Sequence, residues 1–283
     1  MRFAICNEIF QGWKLEDTFD FVTKTGYDAI EIAPFTIAKS VTDIPAEKRE
    51  EIRKLSKKHA LPVSAIHWVL VQTEGLHLTH PDAEVRKKTG KYFCDLVDFC
   101  ADIGGKVIVV GSPKQRNLME GVSFGQAWEW ATGVFRDAVM RAEERGIVIC
   151  FEPLAPAETN FINTAAQGIE FVQQLHTPHF KIILDVKAMS SETKPIPQII
   201  QESWPNFGYF HANDKNLKGP GFGDVDFKPI LAALQDVNYN GFVSVEVFNF
   251  DEGPERIARE SLQNLRSAFA SVVRDKEREQ LID

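Results

Sequence analysis

The stretch Ile147-Val148-Ile149-Cys150-Phe151-Glu152 consists of five apolar residues followed by one acid. An apolar run of this length is typical of a strand buried on both faces, as in a parallel sheet. A buried strand that ends on a charged side chain costs free energy unless that side chain has a partner. The stretch therefore predicts a buried strand with a functional acid at its carboxyl end.

The same pattern recurs three times downstream. Apolar runs end on Asp185 after Ile182-Ile183-Leu184, on His211 after Tyr209-Phe210, and on Glu246 after Val243-Ser244-Val245. Brought to one rim, Glu152, Asp185, His211 and Glu246 would form a metal site of three carboxylates and one imidazole. This donor set favours Mn²⁺, Mg²⁺ or Co²⁺ over a thiolate-seeking ion and leaves Zn²⁺ open. We predict one divalent ion, with Mn²⁺ as first choice; the alternative is that each acid only caps a loop or pairs with a lysine.

The whole chain alternates short apolar runs with longer amphipathic segments. We predict strands at 2–6, 29–33, 63–67, 107–110, 148–152, 181–185, 208–211 and 243–246. We predict helices at 16–24, 46–59, 82–103, 123–145, 164–175, 196–202, 227–236 and 254–273.

Eight β-then-α units in 283 residues fit the α/β class and a single (β/α)₈ TIM barrel. We place the barrel at 1–273 and a charged, frayed tail at 274–283. A doubly wound open sheet is the alternative, but it normally carries a Gly-rich nucleotide loop after a strand, and the sequence has no such motif.

The composition is that of an ordinary globular protein, with 44% hydrophobic and 25% charged residues and a formal net charge of −8. An acidic chain argues against a nucleic-acid partner and against a basic membrane-surface protein. No apolar stretch has the length of a membrane span, and the start has no signal-peptide layout, so we expect a cytoplasmic protein. The four cysteines form no C-x-x-C pair, which favours reduced, idle thiols.

Several motifs in the second half of the chain resemble one known family. They are Phe151-Glu152-Pro153 with Glu158 downstream, Leu184-Asp185, Phe210-His211-Ala212-Asn213-Asp214, the Gly-rich segment 220–227, and Gly241-Phe242-Val243-Ser244-Val245-Glu246. In this order and spacing the chain resembles the xylose-isomerase-like sugar isomerases and epimerases, especially ketose 3-epimerases of the tagatose/psicose type. The first half matches this family in pattern more than in motif.

The resemblance implies a mechanism. Glu152 and Glu246 would bind the metal and also move protons on opposite faces of a substrate carbon, which is epimerisation. The ion would stabilise the enediolate formed when a proton next to a carbonyl is removed, and a positioned carboxylate contributes roughly 10²–10⁴-fold. Glu158 would contact Glu152 and the substrate; the alternative for Glu158 is a solvated loop acid. The family also implies dimers or tetramers.

Two positions depart from the family pattern. The family usually has a histidine three residues after the strand-six aspartate, where this chain has Ala188, and an arginine six residues after the strand-seven histidine, where it has Leu217. These departures indicate a different substrate from a free ketohexose. Lys187 or Lys215 could replace the lost donors, although a lysine is a flexible point charge rather than a planar fork. Each lysine could also be an ordinary surface charge.

The first three strand ends supply further candidates. Asn7 and Glu8 follow the first strand, Glu31 lies near the end of the second, and His67 and Trp68 close the third. A histidine beside a tryptophan fits a sugar pocket, in which an aromatic face covers the ring. His67 could instead be a satisfied core imidazole, and Glu31 a buried carboxylate paired with a neighbour. Trp13 and Phe248 could form pocket walls.

We therefore predict a metal-dependent isomerase or epimerase of a sugar or keto-sugar. Three alternative functions were considered. The first is a lyase or dehydratase acting on a 3-keto-glycoside or related polyhydroxy ketone, because proton abstraction beside a carbonyl also begins β-elimination. The second is an apurinic endonuclease-type member, which would need more histidines and a basic groove. The third is a non-catalytic sugar-binding subunit, which would not need four metal ligands.

Overall fold

Eight parallel strands form a closed barrel in this computed structural model, which describes residues 1–280 and the side chains up to residue 278. Each strand pairs with the next in chain order, and β1 pairs with β8, with Phe3 opposite Val243, to close the ring. The predicted single (β/α)₈ barrel is confirmed. The strands are β1 (Arg2–Cys6), β2 (Ala29–Ile32), β3 (Val63–Ile66), β4 (Val107–Val110), β5 (Val148–Phe151), β6 (Phe180–Asp185), β7 (Phe207–Ala212) and β8 (Phe242–Val245).

Helices surround the barrel, and their ends carry the expected capping residues. Ser123 and Gln126 form a capping box at the start of α4, and Gly146 in the left-handed conformation ends it. The helices are α1 (Leu15–Thr25), α2 (Ala46–Lys58), α3 (Ala83–Asp102), α4 (Phe124–Arg145), α5 (Ala165–Val172), α6 (Val186–Met189), α7 (Ile196–Ser203), α8 (Phe227–Asp236) and α9 (Pro254–Gln280).

Two helices differ from the sequence prediction. The short helix α6, which the sequence did not predict, follows β6 directly and is capped by the Asp185 side chain. Helix α9 continues to Gln280, through most of the segment predicted as a frayed tail. Ion pairs of 2.6 Å each, Lys228–Asp275 and Lys276–Asp236, join this last part of α9 to α8. The rest of the predicted tail, 281–283, lies outside the described residues.

The barrel interior is filled by a small layer of side chains, and the larger hydrophobic core lies between strands and helices. The interior layer consists of Ala65, Val109, Cys150, Ile183 and Tyr209. Because strand side chains alternate between two faces, the residues two positions further on also point inward. Those residues are His67, Gly111, Glu152, Asp185 and His211, so the strand register itself directs the candidate site residues to one end of the barrel. None of the helices within 1–280 is long and apolar enough to cross a membrane.

Candidate metal centre

The structure brings Glu152, Asp185, His211 and Glu246 together at the carboxyl end of the barrel. One potential ligand atom from each of the four residues lies within 4.8 Å of those of the other three. All four side chains are buried. They come from the ends of β5, β6, β7 and β8, which are neighbours in the barrel. We call these four residues the cup.

A glycine at the end of β4 makes room for the first of these carboxylates. A Cβ atom placed on Gly111 would lie 1.9 Å from Oε2 of Glu152. Real Cβ atoms do not approach other heavy atoms this closely. Any side chain at position 111 would therefore displace the Glu152 carboxylate from the cup.

Hydrogen bonds orient the carboxylates of Asp185 and Glu246. Oδ1 of Asp185 accepts a 2.7 Å bond from the backbone N–H of Ala188, and Oδ2 accepts one from the Asn213 side-chain amide. The indole N–H of Trp68 donates a 2.8 Å bond to Oε1 of Glu246. Trp68 has a φ of 49°, an uncommon conformation for a bulky residue, so the backbone is strained where it aims this indole at the cup.

A fully buried arginine, which the sequence analysis missed, supports Glu152 from behind. The guanidinium of Arg116 donates to the backbone carbonyls of Glu152 at 2.6 Å and Val110 at 3.0 Å, and it lies 4.3 Å from the ring centroid of Phe151. Burial lowers the pKa of Arg116 to about 10, opposed by the nearby Glu152 and Glu158 carboxylates, so the group stays charged at neutral pH. Arg116 thus fixes the ends of β4 and β5.

The carboxylates of the cup repel one another. Burial, together with the charges of Glu246 and Asp185, raises the pKa of Glu152 to about 8. Burial and the charge of Glu246 likewise raise the pKa of Asp185 to about 6. For Glu246 burial acts in the same direction, but the adjacent His211 outweighs it and lowers the pKa. The cup therefore carries an excess of negative charge that a cation would relieve.

Two atoms that face the cup have the properties expected of metal ligands. Nδ1 of His211 and Oε2 of Glu246 lie 3.1 Å apart. Both are buried, and apart from this contact neither has a hydrogen-bond partner among the described residues. Buried polar atoms with so few partners are uncommon, and an imidazole nitrogen among carboxylate oxygens is a common donor set for divalent cations. The residues present therefore fit a divalent metal ion.

A cavity of about 250 Å³ opens above the cup. Its aromatic wall is formed by Trp68, which stacks on Phe35 and Phe248 with centroids 5.6 and 5.8 Å apart. Nζ of Lys187 lies 2.6 Å from a carboxylate oxygen of Glu158 and 4.0 Å from the centroid of the Phe248 ring. The lining residues are Trp68, Val71, Gly111, Ser112, Pro113, Lys114, Gln115, Glu152, Leu154, Glu158, Lys187, Glu246 and Phe248.

Three of the residues proposed for substrate binding lie outside this cavity. Lys215 is exposed on the loop after β7. Trp13 packs edge-on against Phe10 and Phe21. The Asn7 side chain donates to Thr36 Oγ1 at 2.9 Å and accepts from the Ala33 backbone N–H at 2.7 Å, which indicates a structural role for Asn7.

His67 also lies below the cavity rather than in it. It is fully buried, with Nε2 2.8 Å from Glu8 and Nδ1 3.3 Å from Glu31. His67 is thus a buried imidazole between two carboxylates, hydrogen-bonded at Nε2, and Glu31 is a buried carboxylate beside two imidazoles. A role of His67 in substrate binding stays a prediction. Ala188 is buried, and the Leu217 side chain is 43% exposed.

The close approach at Gly111 yields a first prediction. We expect Gly111→Ala to displace the Glu152 carboxylate and to weaken Mn²⁺ binding by about 10–100-fold, the range seen when the support of a metal ligand is lost. Titration calorimetry would measure the affinity. The matched control is Gly133→Ala in α4, where the new Cβ would meet no atom of the described residues within 4 Å beyond its chain neighbours and the adjacent helix backbone. Unchanged Mn²⁺ affinity in Gly111→Ala would contradict this account of the cup.

The raised pKa values predict how the stability of the metal-free protein depends on pH. Between its ordinary pKa of 4.5 and its raised value of about 8, Glu152 keeps its proton in the folded state and loses it in the unfolded state. Asp185 acts likewise between 3.8 and about 6, and His67 between 6.5 and about 9. The free energy of unfolding should therefore fall as pH rises through this window.

Thermal unfolding in chelator between about pH 5 and pH 9 would check this. We expect a shallower fall in Glu152→Gln, because glutamine has no proton to lose, and a wild-type profile in the exposed control Glu129→Gln. Parallel profiles for wild type and Glu152→Gln would show that Glu152 does not keep its proton in the folded protein above its ordinary pKa.

Sequence comparisons identify relatives of the whole barrel. A family model described as xylose isomerase-like TIM barrel matches residues 19–268. D-psicose 3-epimerase of Agrobacterium fabrum is 28% identical over 229 residues, which cover 80% of this chain and 77% of that protein. 3-dehydro-D-guloside 4-epimerase of Escherichia coli is 24% identical over 274 residues, which cover 94% of this chain and 100% of that protein.

A comparison of structures agrees with the family match. The apo crystal structure of 3-keto-D-glucoside 4-epimerase from E. coli superposes with a TM-score of 0.82 at 23% identity, over 94% of this chain and 99% of that one. At this identity the likeness shows the fold. The family model matches residues 19–268, and the chain therefore belongs to the xylose isomerase-like TIM barrel family.

Proposed function

We propose that the protein is a divalent-metal-dependent epimerase of a sugar or keto-sugar. The observation that carries this proposal is the position of two glutamates, Glu152 and Glu246, in one buried cup beneath the cavity. They extend from β5 and β8, with β6 and β7 between them, so they approach the space above the cup from different sides. The names of the two curated relatives, both epimerases of keto-sugars or their glycosides, support the same reaction class.

In the proposed reaction one glutamate removes the proton from a carbon next to a carbonyl, and the other returns a proton to the opposite face. A cation held by Glu152, Asp185, His211 and Glu246, with Mn²⁺ as first choice, would polarise the carbonyl and stabilise the developing negative charge. Trp68 holds Glu246 through its indole N–H, and Arg116 holds the backbone of Glu152. Both supports keep the proton-transferring groups in place.

The cavity provides the contacts that a sugar needs. The aromatic side chains of Trp68 and Phe248 line the cavity and suit the apolar side of a sugar ring. The buried hydroxyl of Ser112 lines the cavity and has no hydrogen-bond partner within the described part of the chain, so it is available to a substrate hydroxyl. The Lys187–Glu158 pair offers a donor and an acceptor beside it. We propose these residues as the substrate-binding set.

A deuterium-exchange experiment tests the reaction. The Mn²⁺-loaded protein would be incubated in D₂O with free, phosphorylated and 3-keto sugars, and carbon-bound deuterium and product mass would be followed. We expect deuterium in a sugar of unchanged composition. Glu152→Gln and Glu246→Gln should each reduce turnover by at least about 10²-fold, because each removes a positioned acid–base group.

The two variants should also remain folded by circular dichroism. Retention of more than a few per cent of activity in either variant would exclude the scheme with two proton-transferring glutamates. Loss of water or of an aglycone from the sugar would instead identify a lyase.

A further prediction concerns substrate binding by Lys187. We expect Lys187→Met to raise KM by about 10-fold or more with a smaller change in kcat, because a hydrogen bond to a charged group contributes roughly 1.5–3 kcal/mol. Lys215→Met, at an exposed position outside the cavity, is the matched control and should behave as wild type. Steady-state kinetics on the sugar identified above would measure both. Equal KM values in the two variants would remove Lys187 from the proposed binding set.

A further inference from the structure

A row of fully buried ionisable side chains runs beneath the cup, and all of its members except His211 have no part in the reaction proposed above. We call Glu8, His67, Glu31 and His211 the buried array; all four are 0% exposed. Glu8 lies in the turn after β1, Glu31 on β2, His67 after β3, and His211 on β7. Glu8, His67 and Glu31 are fully buried and do not line the cavity, so they cannot contact a substrate directly.

The array meets the cup at the imidazole of His211. Nε2 of His211 lies 3.1 Å from Oε1 and 3.2 Å from Oε2 of Glu31. The other nitrogen, Nδ1, faces Glu246 Oε2 in the cup. A neutral imidazole has one N–H and one lone pair. Carboxylates face both nitrogens, and a carboxylate can only accept a hydrogen bond. Glu246 belongs to the cup and Glu31 does not, so a cation bound in the cup would take the place of the proton at Nδ1 and leave the N–H at Nε2 with Glu31.

The side chains of His67 and Cys6 also contact Glu31. Nδ1 of His67 lies 3.3 Å from Oε1 of Glu31, and the Cys6 thiol donates a 3.4 Å bond to Oε2. His67 is held in turn by Glu8, whose Oε2 lies 2.8 Å from Nε2. The orientation of one ligand histidine on β7 is thereby tied to side chains from the first three strands.

We propose that Glu31 is a positioning residue that fixes His211 in the tautomer whose Nδ1 binds the cation, and that His67 and Glu8 hold Glu31 for this task. The inference rests on the metal centre of the proposed function. It assigns a role to the half of the barrel that supplies no ligand to the cup. Outer partners of this kind commonly change metal affinity by 10–100-fold when they are removed.

Metal affinity tests the proposal directly. In Glu31→Gln the carboxamide keeps the shape of the carboxylate but can donate as well as accept, so it no longer imposes one tautomer. We expect Mn²⁺ affinity, measured by titration calorimetry, to fall about 10–100-fold. Glu8→Gln, at the far end of the array, should show a smaller fall and serves as the second variant if Glu31→Gln does not fold.

Tyr27→Phe is the matched control. It removes a buried hydroxyl that donates a 2.8 Å bond to the backbone carbonyl of Ala258 in α9, outside the barrel interior, so Mn²⁺ affinity should not change. A fall in Tyr27→Phe equal to that in Glu31→Gln would show that any buried polar deletion weakens the centre, and would overturn the proposal. Wild-type affinity in both Glu31→Gln and Glu8→Gln would also overturn it.

A spectroscopic measurement separates positioning from packing. Long-range ¹H–¹⁵N correlation of the Zn²⁺-loaded, ¹⁵N-histidine-labelled protein should show the proton of His211 on Nε2 in wild type and a changed pattern in Glu31→Gln. A proton on Nδ1 in wild type would refute the assignment.

Epimerase assays on the same samples keep the two proposals apart. Wild type that binds Mn²⁺ but turns over no sugar contradicts only the proposed function, whereas an active Glu31→Gln with wild-type affinity contradicts only the role of Glu31.

Discussion

The mutual repulsion of buried carboxylates at one end of the barrel is the constraint on which the rest of the centre depends. Glu152, Asp185 and Glu246 share a space in which their ligand atoms lie within 4.8 Å of one another, out of contact with bulk water. Such a cluster is stable only if protons or cations reduce its charge. The raised pKa values of Glu152 and Asp185 are the signature of protons in that role. A divalent ion would take it over and leave the carboxylates free to act.

The surrounding side chains can be understood as the response to this constraint. Glu8 and Glu31 add two further buried acids below the cup, while Arg116 and His67 add buried positive charge. The buried acids outnumber these two cations, and either protons or a divalent ion would reduce the remaining negative charge. These charged side chains also have hydrogen-bond or ion-pair partners, which fix their orientation. Fixed direction is what catalysis by preorganised groups requires.

Much of this arrangement is predictable from the sequence because it follows from strand register. An apolar run that ends on an ionisable residue indicates both that the strand is buried and where it ends. Four such ends predicted that Glu152, Asp185, His211 and Glu246 lie at one rim, where the structure places them. Arg116 was not predictable in this way, since nothing in the local pattern around a loop arginine indicates that the chain folds over it. The sequence also placed three residues in the substrate site that do not line the cavity, namely Asn7, Trp13 and Lys215. A position near a strand end does not determine the direction in which a loop side chain points. The continuation of α9 through charged residues depends on ion pairs with α8, which are contacts between distant segments.

The loops after β6 and β7 carry Ala188 and Leu217, the two positions that differ from the pattern that the resemblance predicts. Consecutive helical residues point about 100° apart, so in α6 the buried Ala188 gives its backbone N–H to Asp185 while Lys187 extends to Glu158 at the cavity. Position 217 contributes through its backbone: the Leu217 carbonyl accepts 2.9 Å bonds from the backbone N–H groups of Phe248 and Asn249 and so supports the aromatic wall, while its side chain lies in solvent. The loop after β7 therefore supports the aromatic wall, and the cationic group at the cavity is a flexible ammonium rather than a planar guanidinium. Substrates that need a fork of directed hydrogen bonds should bind less well here than substrates that need one mobile positive charge.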